Sequence, residues 1–211
     1  MKLSRSLVFL VGVALASSWA SPARAATINP IVEYSEASAL FDSNPYTLGY
    51  EFTLDTLFDF NALGYWNDGL SNDHEVGVWT SEGTLLASTT VLGTDPLTGH
   101  FRYHEISFTL APGSYVIGGE FLGNNDTFTY NATGVTSLPG YTWNEDRQIF
   151  GPGLNFPTLT TSGLYGDNGI FVVDLSVGQG TAAIPEPATM LLLGTGLFGL
   201  ARQRRIASRR K

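Results

Sequence analysis

The stretch Asn67-Asp68-Gly69-Leu70-Ser71-Asn72-Asp73-His74-Glu75 is the densest run of polar side chains in the sequence. Asp68, Asn72 and Asp73 are hard oxygen donors on a glycine-containing loop, the chemistry a calcium ion requires. Their spacing differs from the D-x-[DN]-x-[DN]-G of an EF-hand, so further ligands would have to come from elsewhere in the fold. The same residue types also shape turns through side chain to backbone hydrogen bonds, with His74-Glu75 opening the next strand. Sequence alone leaves both roles open, and calcium is the one cofactor it raises.

Other chemistry is thinner. The histidines are His74, His100 and His104. If His100 and His104 lie on one strand they stand about 13 Å apart, too far to share a metal. There is no G-x-S-x-G elbow for a hydrolase. Glu105 and Glu120 would suit glycosidase chemistry only at the right separation. The absence of cysteine excludes thiolate zinc sites, iron–sulfur clusters and cysteine nucleophiles. The expectation is a protein that is not an enzyme, with no catalytic residue to assign.

Aromatic residues offer a different chemistry. Exposed rings stack on sugar faces, and Trp66 beside Asp68 would suit a glycan. So would Trp143 within Tyr141-Thr142-Trp143-Asn144-Glu145-Asp146. The competing role is to fill a core, which suits Trp79 best.

These residues need elements to position them. Short alternating runs cut by turn residues predict strands at 50–54, 58–65, 75–80, 85–91, 103–110, 114–120, 127–130 and 170–177. Ile106-Ser107-Phe108-Thr109-Leu110 alternates cleanly, one face in and one out. Ser81-Glu82-Gly83-Thr84 and Ala111-Pro112-Gly113-Ser114 read as hairpin turns. The one helix expected in this region is short, around Ser35 to Phe41. The pattern predicts an all-β domain, an antiparallel β-sandwich of jelly-roll type, with a closed barrel as the alternative.

The two ends read as processing segments. Lys2 and Arg5 precede an apolar stretch from Leu7 to Ala16, and Ala23-Arg24-Ala25 fits a small-x-small cleavage pattern. This predicts a secretory signal at 1–25, cut after Ala25 by signal peptidase; the run is shorter than the ~20 residues a spanning helix needs. Residues 26–183 form one domain. Only Arg102 and Arg147 are basic there, against 18 acidic residues, a formal charge of −16. Such a surface repels phosphate backbones, so nucleic acid is excluded as a partner.

The tail has three parts: Pro185-Glu186-Pro187, an apolar run from Ala188 to Ala201, and a basic end from Arg202 to Lys211. The 14 residues of the run would span about 21 Å as a helix, short of the ~30 Å hydrocarbon core, with snorkelling arginines recovering part of the mismatch. The basic end should stay in the cytoplasm. In this order, the segment 184–211 resembles the PEP-CTERM sorting signal of Gram-negative bacteria, read by the membrane enzyme exosortase. The resemblance implies a precursor held in the inner membrane, removal of the tail, and delivery to the cell surface or the extracellular polymer matrix. Residues 63–91, 101–121 and 150–177 are similar to β modules of unknown function in exported bacterial proteins, which implies a sandwich and no activity. The functional expectation is a structural or adhesive surface protein; the alternative is a module that binds exopolysaccharide.

Overall fold

The computed structural model describes residues 26–67, 69, 72–123, 126–161 and 169–178. The expected signal with Ala23 and Ala25, the loop residue Asp68, and the tail with Pro185, Glu186, Pro187 and the apolar segment 188–201 lie outside the described residues. Among the described residues no helix is long and apolar enough to cross a membrane.

The described chain is all-β. In order its strands are β1 (Val32–Glu33), β2 (Glu36–Phe41), β3 (Tyr46–Leu54), β4 (Phe58–Trp66), β5 (His74–Thr80), β6 (Leu85–Val91) and β7 (Leu97–Thr98). Then come β8 (Phe101–Leu110), β9 (Gly113–Phe121), β10 (Thr127–Thr133), β11 (Thr136–Ser137), β12 (Tyr141–Phe150), β13 (Leu159–Thr160) and β14 (Val173–Val177). The larger sheet runs β13-β12-β3-β9-β5-β6 and the smaller β14-β4-β8-β7; the pairs β1-β11 and β10-β2 stand apart. Every strand pairing is antiparallel.

Two local expectations are corrected. The helix expected around Ser35 to Phe41 is strand β2, paired residue by residue with β10 from Phe41↔Thr127 to Ser38↔Tyr130. Most of its side chains are exposed, so it has no apolar stripe to anchor a helix. A helix this short also gains too few hydrogen bonds to offset nucleation. The turn at Ala111-Pro112 is not a hairpin: β8 pairs with β4 and β7, while β9 pairs with β3 and β5. It is a corner that carries the chain from one sheet to the other. The Ser81–Thr84 turn does close a hairpin, between β5 and β6, with Gly83 at φ 93° in the left-handed region.

The sheets face each other through an aromatic-rich core. Tyr65 of β4 stacks on His74 of β5 with ring centroids 3.7 Å apart. A Cβ on Gly119 of β9 would lie 2.6 Å from Val173 and 2.7 Å from Tyr65, so the inner faces meet there without room for a methyl group. The amino-terminal segment runs along the β14 edge of the smaller sheet: Ile31 N–H donates to Leu175 O at 2.8 Å and Val177 N–H to Asn29 O at 3.0 Å, with Asn29 N–H on Ser176 Oγ at 2.8 Å and Val32 N–H on Asp174 Oδ1 at 3.1 Å. On the far side of the larger sheet, residues 151–157 form a strap. Thr47 Oγ1 donates to Gly153 O at 3.2 Å and accepts Asn155 N–H at 2.9 Å, and Glu120 Oε1 accepts Gly153 N–H at 2.9 Å.

Candidate functional site

The polar loop before β5 is partly described. Asn72 and Asp73 are exposed, and Asp73 Oδ1 accepts the Gly93 N–H at 2.9 Å. Asn72 borders a depression of about 10 Å³ together with Trp66, Asn67, His74 and Arg102. That is room for roughly one water. Arg102 donates Nε to Asn67 Oδ1 at 3.2 Å and Nη1 to Asp95 O at 2.7 Å. A guanidinium on this wall opposes a divalent cation. Among the described residues no three His, Asp or Glu side chains gather as a metal site.

The three histidines serve different places. His74 is buried, and its Nδ1–H donates to Glu120 O at 2.9 Å. His100 donates Nε2–H to Tyr34 O at 3.0 Å and stacks parallel on the Tyr34 ring at 4.3 Å. His104 Nδ1 meets Asp95 Oδ2 at 3.0 Å on the wall of a cleft of about 470 Å³ beside the amino-terminal segment. Glu105 also lines that cleft and accepts the Ala26 N–H at 3.0 Å. Glu120 lies on the strap side of the larger sheet. Glu105 and Glu120 are therefore on opposite sides of the molecule and form no carboxylate pair.

The tryptophans separate in the same way. Trp79 is 4 % exposed. It lies on the outer face of the larger sheet, where Gly77 and Gly118 make space for its ring and Phe156 of the strap covers it at 6.0 Å. Trp143 faces inward from β12: it stands opposite Phe52, packs 6.2 Å from Phe171, and buries its indole nitrogen near Asp146. Trp66, at the end of β4, is only half-buried. It forms one wall of a pocket of about 360 Å³ with Tyr34, Glu36, Ala37, His100 and Thr129. Pockets of ~300 Å³ and above are of small-ligand size.

This pocket, walled by Trp66, is the candidate site for a ligand. Four separate segments build it: the approach to β2, the end of β4, the turn before β8, and β10. The Trp66 N–H donates to Val172 O at 2.8 Å and the Asn67 N–H to His100 O at 2.9 Å, which fixes the floor. Thr129 is buried and its hydroxyl donates to Phe171 O at 3.0 Å. The Tyr34 hydroxyl, buried beside Thr129, makes no hydrogen bond of good geometry. Burial, first, pushes the Tyr34 hydroxyl well above its usual range, so it stays a neutral donor. Sequence reasoning found Trp66 but missed Tyr34, Glu36, His100 and Thr129 as its companions. No local signal joins residues that meet only in the fold.

Two buried carboxylates lie below the surface. Burial raises Asp174 to about 8, against hydrogen bonds from Tyr103, Leu175 and Val32 that favour its charge. Burial likewise raises Asp146 to about 6, with the Ile170 N–H donating to it at 2.7 Å. Both hold backbone in place, Val32 in one case and Ile170 in the other, and neither borders the Trp66 pocket.

Residues 183–205 match the family described as the PEP-CTERM protein-sorting motif. This is an exported, exosortase-sorted protein. The match overlaps the tail segment 184–211 singled out by its Pro-Glu-Pro, apolar and basic parts, starting one residue before it. No curated protein and no solved structure matches the sorted chain.

Proposed function

We propose that the exported domain is a non-enzymatic surface or extracellular-matrix protein. Signal peptidase removes 1–25, the segment 188–201 holds the precursor in the inner membrane of a Gram-negative cell, and exosortase releases or transfers the domain at the tail. The domain itself is read as an antiparallel sandwich of jelly-roll type with a structural or adhesive role. The matched sorting motif behind an acidic all-β domain is the observation that supports this reading. Its test replaces Pro185, Glu186 and Pro187 by alanine in a host that has an exosortase. The wild-type chain should lose its tail and leave the inner membrane, and the variant should stay there uncut. A wild-type chain that keeps its tail in the inner membrane overturns the proposal.

A second reading, association with exopolysaccharide, is favoured by one observation: Trp66 is half-buried on the wall of a pocket of about 360 Å³ that also holds polar groups. Sedimentation of the mature protein with purified host polysaccharide tests it. Trp66→Ala should abolish co-sedimentation; no co-sedimentation by the wild-type protein removes the reading.

A further inference from the structure

Glu36 is an exposed carboxylate on the rim of the Trp66 pocket, and among the described residues no Lys or Arg lines it. His100 donates Nε2–H to Tyr34 O. The carboxylate oxygens of Glu33 lie beside the neighbouring Gly99, 3.3 and 3.4 Å from where its Cβ would be. Arg102, on the other side of Trp66, is committed to Asn67 and to Asp95 O. The domain around the pocket carries the formal charge of −16 already described. The Tyr34 hydroxyl is buried beside Thr129.

A uronate in this pocket would set its carboxylate against Glu36 with no cation to answer it. A sugar that carries an ammonium group meets the opposite situation. The ammonium can pair with Glu36 and lie over the Trp66 face, where a ring attracts cations. The acidic surface draws a polycation toward the pocket at long range.

We infer that the Trp66 pocket takes a hexopyranose bearing a free amine, a glucosamine-type unit of a cationic polysaccharide; this rests on the exopolysaccharide reading of that pocket. The test is calorimetric titration of the mature, processed protein with three oligosaccharides in slightly acidic buffer, where a sugar amine is charged. They are glucosamine, N-acetylglucosamine and galacturonate hexamers. The glucosamine hexamer should bind about tenfold more tightly than the acetylated one, the combined effect of an exposed ion pair and a cation–π contact. The galacturonate hexamer should not bind. Added salt should weaken the glucosamine hexamer alone, and Glu36→Gln, at an exposed position, should remove the tenfold preference while leaving the fold intact. Equal binding of amine and acetyl forms, or tighter binding of galacturonate, overturns the amine inference and leaves the polysaccharide reading standing. Binding of none of the three, with host polysaccharide also unbound, overturns both.

Discussion

Tyr103 on β8 and Asp174 on β14 share a hydrogen bond of 2.7 Å although β4 runs between their strands. Strands two apart in a sheet are separated by roughly 9.6 Å, and a tyrosine can reach across only if nothing rises from the strand between. The residue between is Gly64, opposite both in register. A Cβ there would stand 2.6 Å from the Tyr103 ring. The Asp174 carboxyl that Tyr103 meets also accepts the Val32 N–H, so this row helps hold the amino-terminal segment against β14.

Stability should therefore depend on pH. Asp174 titrates near 3.8 when exposed and at about 8 when folded, so between those values the folded chain holds a proton the unfolded chain has lost. Its contribution is fully present below 3.8 and is lost as pH rises through about 8. Asp146 acts in the same direction over the narrower window from 3.8 to about 6. Denaturant midpoints should fall as pH rises across this range, and Asp174→Asn should flatten most of the slope. A wild-type profile that rises instead would contradict the burial assigned to these groups.

Gly64→Ala should cost about 2–4 kcal/mol, combining overpacking with a strained or broken buried hydrogen bond. The cost should shrink when Tyr103→Leu is already present, because the ring that the new methyl group meets is gone. Equilibrium unfolding of the double-mutant cycle measures the coupling. Additive costs would mean that Gly64 matters for another reason.

Trp79→Ala should cost about 3–5 kcal/mol, as for other buried large aromatics. Its ring fills the hollow over Gly77 and Gly118 and supports the strap through Phe156. Thr47→Val should loosen the strap without opening the core, since Thr47 both donates to Gly153 and accepts from Asn155. Limited proteolysis should then cut within 151–157 faster in both variants than in the wild type.

Asp73→Ala should lower stability by about 0.5–1.5 kcal/mol in buffer containing a chelator, because the Gly93 N–H loses its acceptor. Thermal melting with and without millimolar calcium separates the two roles of the loop. A loss seen only with calcium would assign Asp73 to a cation together with Asp68.

Trp143→Ala and Trp66→Ala should diverge. Trp143 packs inward on Phe171, so its loss should destabilise by about 3–5 kcal/mol. Trp66 is half-buried, and its loss should cost less stability and more ligand affinity. Parallel melts and polysaccharide binding distinguish a core residue from a wall of the pocket.

Most long strands were legible because alternation is a local property, visible in a run such as 106–110. Strand β12 was not. Its inward residues are Tyr141, Trp143, Asp146 and Gln148, and a bulge between Trp143 and Glu145 breaks the period of two. Its outward face adds Glu145 and Arg147, with Arg147 paired to both Glu51 and Glu145. A charged stretch with an interrupted period looks like a loop until its neighbour β3 is beside it.

The sequence by itself determined the sorting tail, the acidic character and the all-β class. These depend on residue order, charge and short-range periodicity, which need no partner across the fold. Tertiary structure decided which sheet each strand joins, whether Ala111-Pro112 is a hairpin or a corner, and which side chains meet at Trp66. It also decided that Asp174, within β14, is buried while Asp73, just before β5, is exposed. Burial and pairing are set by residues far away in the chain, and a local pattern carries no record of which distant backbone will lie next to it.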